Sequence, residues 1–213
     1  MDEIIRPTKQ SIAPASVKQE GEKNLYIENN NGGVVNINYS PSQQLQGISA
    51  EQIIAIQKFS KQYYQLIVTC DSDIFNTNII TVPTNRALCQ YLVPNEIFDR
   101  CSSLSDEGIN ELMTFPAIIC CENTGYSGET DSSQLAMYCY IRKITLYRSE
   151  VKIVFQPISV FPQAILCDKK NAIFFGLEMD CALTDLNHSA WSVHKTNIFE
   201  AFKEAGLNMP SPQ

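Results

Sequence analysis

The stretch LAMYCYIRKITLYRSEVKIVFQPI, residues 135–158, decides the fold. β-Branched and aromatic residues fill Leu135 to Tyr147 and Glu150 to Ile158, with Arg148-Ser149 between them, so the stretch reads as a β-hairpin. In the second arm Val151, Ile153 and Phe155 alternate with Lys152, Val154 and Gln156, which sets one face on a core. Working outward, Ala117–Cys121 is a continuous apolar run, and Glu122–Ser133 is a polar, glycine-containing loop. Downstream, Ala164–Cys167 and Ala172–Leu177 are further strand candidates, separated by a turn at Asp168-Lys169-Lys170-Asn171.

The flanks are helical. From Gly47 to Thr69, Ser49 and Gln52 form a capping box, and Ile53, Ile56, Phe59, Tyr63 and Ile67 recur at helical spacing. One amphipathic helix is therefore expected there. Ile79–Val82 reads as a strand stopped by Pro83. Three short helical stretches follow, at Thr84–Tyr91, Asn95–Cys101 and Ser105–Met113. At the far end Asn197 and Glu200 cap a helix with the stripe Ile198, Phe199, Ala201 and Phe202, closed by Gly206. Helices, then antiparallel strands, then a helix argue for an α+β fold: a small curved antiparallel sheet or partial barrel closed by a C-terminal helix, with no βαβ unit. The domain expected is 47–207, with a tail at 208–213.

Residues 1–46 differ in character. SIAPASVKQEGEK and YSPSQQLQG are too polar to bury much surface, but between them lies LYIENNNGGVVNINY, residues 25–39. Two β-prone segments flank Asn29 to Gly33, a hairpin signal. Val35, Ile37 and Tyr39 face one way, Asn36 and Asn38 the other. Only Glu28 is charged and proline is absent, so nothing guards this island against pairing with another chain. An isolated hairpin is marginal in water. Tyr26, Ile27, Val35, Ile37 and Tyr39 are accordingly the expected partner-binding residues, for self-association or for strand addition to a protein partner.

Composition limits the functions. The 213 residues carry 16 Lys plus Arg against 23 Asp plus Glu, a net charge of −7, which disfavours broad phosphate binding. Hydrophobic residues make up 44%, enough for a folded core. The start MDEIIRPTKQ has no apolar signal region, and eight scattered cysteines lie mostly in apolar runs. These features imply buried free thiols and a cytoplasmic protein without a membrane span. The glycines form no phosphate-binding loop, and no cofactor is expected.

Candidate chemistry is sparse. Cys181, His188 and His194 lack the close ligand pair that nucleates a zinc site. No cysteine sits where its pKa is expected to fall. Asp71/Asp73 and Glu178/Asp180 are carboxylate pairs suited to a divalent ion in a small hydrolase or nuclease, but solvated turn and strand-end residues are the favoured reading in an acidic protein. On the hairpin, Tyr138, Tyr140, Arg142 and Lys152 interleave aromatic and basic residues as a single-strand or RNA-binding sheet does.

The segment LNHSAWSVHKTNIFEAFKEAGL, residues 186–207, resembles the closing segment of an uncharacterised bacterial domain with the pattern N-R-T-H-W-A-V-K-x-V-D-L-F. Asn187, His188, Trp191 and Lys195 carry the likeness. It needs an insertion between Trp191 and Lys195, and Ala190 stands where that pattern has His. FPAIICCEN (115–123) and YIRKITLYRSEVKIVF (140–155) are similar to the same domain's strand and hairpin. IENNNGGVVNINY resembles the Asn/Gly β-motifs that precede effector modules in bacterial immune and conflict proteins, some of them amyloid-like signalling segments. The resemblances imply a non-enzymatic interaction or regulatory module of a bacterial anti-phage system, and no catalytic residue.

Overall fold

The computed structural model describes residues 47–213. Residues 1–46, with the expected hairpin at 25–39 and Tyr26, Ile27, Val35, Ile37 and Tyr39, lie outside the described residues.

The first helix, α1 (Ala50–Gln57), opens with the expected capping box, Ser49 and Gln52 each bonding the other's backbone N–H. It stops twelve residues short of Thr69. Ser60 interrupts it by accepting from the backbone N–H groups of Gln62 and Tyr63, and the chain then enters β1 (Tyr64–Thr69). The reading of 47–69 as one helix fails because YQLIVT is a β-branched and aromatic run buried at every position. Such a run suits a central strand covered on both faces.

After a single turn, α2 (Ile74–Thr77), come β2 (Ile79–Pro83), α3 (Asn95–Cys101), α4 (Asp106–Leu112, capped by Ser105) and β3 (Ala117–Cys121). Thr84–Tyr91 forms no α-helix. Two 3₁₀ turns flank Ala87 and Leu88, which run beside Trp191 and bond its carbonyl (2.9 Å). The hairpin is longer than expected, β4 (Leu135–Leu146) and β5 (Glu150–Pro162). The segments at 164–177, expected as strands, are instead two short helices, α5 (Ala164–Cys167) and α6 (Lys169–Phe175). Asp168 caps the N–H of Lys170, and Gly176 ends α6 at φ 67°, so the supposed turn is a helix start. Then follow β6 (Ala190–His194) and α7 (Ile198–Glu204), capped by Asn197.

The fold is α+β. Six strands in the order β2-β5-β4-β3-β1-β6 curl into a half-barrel. Every pair is antiparallel except β1 with β3, which is parallel in the register Gln65 to Ala117 through Thr69 to Cys121. The sheet is thus mixed, not wholly antiparallel. Two register shifts in the β4–β5 ladder set Ile158 and Arg142 out as bulged residues, and bulges bend and twist a ribbon.

Each sheet face has its own core. On one, Tyr64, Leu66, Ile118, Tyr138 and Phe161 meet Phe175 of α6 and Phe202 of α7. On the other, Ile67, Ile119, Met137, Ile141 and Trp191 meet Ile97, Cys101 and Leu112 of α3 and α4. The buried Gln65 amide joins the layers, donating to the Leu112 and Phe115 carbonyls and accepting from Trp191 Nε1 (3.0 Å each). Residues 208–213 are no free tail. Met209 is buried, the Pro210 carbonyl accepts from Tyr138 Oη (3.0 Å), and Gln213 N donates to Gln57 Oε1.

The sheet edges are blunted. Beyond Val154, β5 leaves β2, and Pro157 and Pro162 withdraw two N–H donors from the edge so exposed. Gln52 Nε2 donates to the Pro157 carbonyl (2.8 Å). β2 ends at Pro83, and Thr77 Oγ1 stands 3.4 Å from Ile79 N. Leu88 covers β6.

Candidate functional site

The four hairpin residues expected to read nucleic acid do not share a surface. Tyr138 is fully buried, its ring edge-on to Phe202 (5.2 Å) and its hydroxyl closed by Pro210, so it offers no face to a base. Tyr140 is buried as well, its hydroxyl pKa raised by burial and by Glu51. Arg142, the bulged residue, pairs with Glu51 of α1 (3.3 Å). Of the four, Lys152 alone stands on an uncovered face.

The thiols are unsuited to nucleophilic attack. Burial pushes Cys101 up to about 11, and it raises Cys120, Cys121, Cys139 and Cys167 too, the opposite of activation. Cys181 donates to the Leu183 carbonyl, and His188 is exposed in the same loop. Among the described residues no three His, Cys, Asp or Glu side chains converge as a metal-binding group. Asp71 accepts from the Asp73 N–H, an ordinary turn contact. Asp180 pairs with Lys169 at the surface (3.3 Å) while the Glu178 N–H bonds Asp185.

Two polar clusters escaped sequence reasoning. His194 Nδ1 lies 3.2 Å from the Gly176 carbonyl, which can only accept, so that nitrogen carries the proton, and Nε2 lies 3.1 Å from Ser192 Oγ. The ring stacks on Tyr64 (5.1 Å), and burial lowers its pKa against the opposing charge of Asp185. Ser192 is itself buried and 3.2 Å from the Leu66 carbonyl, so the pair braces α6 against β6 rather than facing a substrate. At the C-terminal end of β3, Gln163 Nε2 donates to the Cys121 carbonyl and to Asn123 Oδ1 (2.8 Å each). Asn123 Nδ2 and Gln163 Oε1 are buried there without a protein partner. Both clusters join residues 18 or more apart across segments whose secondary structure the sequence disguised.

Two surfaces remain. α1 docks through Ile56 in the core and through Glu51 on Arg142 and Gln52 on Pro157, and turns Ile53 and Ile54 outward at 50% and 58% exposure. Beside it a groove of ≈ 370 Å³ is lined by Ile48, Ile53, Ile56, Met209 and Pro210 among others. The second surface is the outer face of β2, β5 and β4. Across these strands Thr81, Lys152 and Thr145 form one row, and Ile79, Val154 and Lys143 the next. None of the six belongs to either core.

Compared with protein-family models, curated proteins and solved structures, the chain matches none. No helix among the described residues is long and apolar enough to cross a membrane.

Proposed function

We propose that this chain is a non-enzymatic interaction or regulatory module of the bacterial cytoplasm, serving an anti-phage or conflict system, and that it assembles with further copies of itself through its N-terminal region. The supporting observation is α1, the element that follows the N-terminal arm, residues 1–46, in sequence; it spends its polar side chains on the body and shows Ile53 and Ile54 to solvent. Adjacent isoleucines on an exposed helix are removed from water most readily by another protein surface, at about 25 cal/mol per Å². The sequence of residues 25–39, unguarded by charge or proline, supports the same reading, since Asn side chains in β-prone segments suit in-register ladders. The dispersal of the carboxylate pairs and the raised thiol pKa values support this reading over a hydrolase.

The test uses the full chain. Sedimentation velocity is expected to show oligomers whose mass falls to that of a monomer in Val35→Pro/Ile37→Pro, with at least about tenfold weaker assembly in Ile53→Glu/Ile54→Glu. Unchanged mass in both variants overturns the proposal. A monomeric wild type that captures one defined protein, lost in the same variants, overturns self-assembly in favour of a protein partner.

A further inference from the structure

The half-barrel is covered on both faces over most of its area but not where β2, the start of β5 and the end of β4 lie together. There Ile80, Val82, Ile144, Val151 and Ile153 fill the inner core, while the opposite side chains meet solvent. The register makes Lys152, opposite Thr145, and Lys143, opposite Val154, diagonal neighbours on adjacent strands, about 7–8 Å apart. Neither lysine makes an ion pair among the described residues. Glu150, exposed on the same face two residues before Lys152, offsets part of this charge and leaves the lysines in excess. Arg142 on the border already spends its charge on Glu51, and Arg148 stands exposed at the hairpin tip. In a protein of net charge −7, the described residues thus leave uncovered one small, partly apolar face with an excess of lysine.

The complementary surface is on the same chain. Asp99 of α3 and Asp106 and Glu107 of α4 are exposed and make no ion pair among the described residues. These helices pack under the inner core, so one copy cannot bring them onto the outer face of its own β2–β5–β4 sheet. We propose that the outer face around Lys143 and Lys152 receives the acidic α3–α4 surface of a second copy, head to tail. Nucleic acid is the poorer occupant: the face carries two lysines and a rim arginine, against six to ten phosphate contacts for a strongly salt-dependent DNA binder, and of the hairpin tyrosines Tyr138 and Tyr140 are buried and Tyr147 alone is exposed. Three strands by two rows give roughly 200 Å², below a stable interface, so the contact is weak and salt-sensitive. Different contacts pair from those at the arm and α1, and a heterologous contact that does not close on itself continues as a chain of copies.

The experiment removes the arm's contribution by using the full chain with Val35→Pro/Ile37→Pro throughout. Concentrated protein is expected to show a weight-average mass about 1.5-fold higher or more at 20 mM than at 300 mM salt. Lys143→Glu/Lys152→Glu, or Asp99→Lys/Glu107→Lys, each abolishes the excess, and an equimolar mixture of the two restores it. All four positions are exposed or half-exposed, and Lys143→Gln/Lys152→Gln gives the same loss without added repulsion. A salt-independent mass, or a mixture that stays monomeric, overturns the proposal. So does a single-stranded oligonucleotide retarded by the parent chain and released by Lys143→Glu/Lys152→Glu without any self-association.

Discussion

At the scale of single residues, His194 couples stability to pH. Its ring is neutral in the fold because burial outweighs the Asp185 charge and the Gly176 carbonyl. The folded pKa therefore lies below the ordinary 6.5. Above 6.5 neither the folded nor the unfolded chain protonates this site, and the neutral ring's contribution is complete. As pH falls through 6.5 the unfolded chain gains a proton that the folded chain resists, so stability is lost, about 1.4 kcal/mol for each unit of difference. Urea denaturation at pH 7.5 and 5.5 should show a lower midpoint at the acid value, and His194→Gln should flatten the difference. The carboxylates of Glu96, held at about 2 by Lys195 and Tyr63, and of Glu111, lowered by Arg100, act only at more acid pH. Legibility also varies by residue. Lys152 and Arg142 were visible as hairpin cations, but the burial of Tyr138 was not, because its cover comes from Phe202 and Pro210, more than sixty positions later.

At the scale of elements, the hairpin, β2, α3, α4 and α7 follow from patterns that local chemistry enforces: alternation, caps and proline stops. Two misread segments share one cause. In 47–69 the helical spacing of Ile53, Ile56 and Phe59 runs on through Tyr63 to Ile67, which lies in a fully buried strand, where periodicity carries no information. In 164–177 short apolar runs around Asp168 suit strand or helix, and the choice rests on Asp168 capping and on Gly176 reaching positive φ. That glycine gives a direct check. A Cβ at Gly176 meets Thr196 Oγ1 at 2.9 Å and must adopt a left-handed backbone. Gly176→Ala is expected to cost about 1–2 kcal/mol, read as a lower urea midpoint, and Thr196→Ala, which removes the hydroxyl, to recover little in the same chain because the backbone strain stays.

For the whole molecule, burial sorts the cysteines. All eight are free, with Cys70 and Cys181 exposed and Cys101, Cys120 and Cys139 buried. Intact mass after brief alkylation in native buffer should show about two fast adducts, with the buried three modified only as the chain unfolds. Early labelling of Cys139, which lies opposite Pro157 in the β4–β5 ladder, would contradict the packing described. The closing segment belongs to the same body, since Met209 and Pro210 seal the core over Tyr138. No local signal in LNMPSPQ marks it as structural, because its partners lie on α1 and β4.

The prolines of β5 have a further consequence. A strand thirteen residues long, with half of one edge free, is the natural place for a growing cross-β array to recruit fresh backbone. Pro157 and Pro162, the Gln52 clasp, the shortness of β2, which ends at Pro83, and the cover of Leu88 on β6 deny it that template. If copies polymerise through their leading residues, the reaction therefore stops at the entrance to each body. The result is a fibre decorated with intact folded units, each still displaying its native surface, rather than one that converts them.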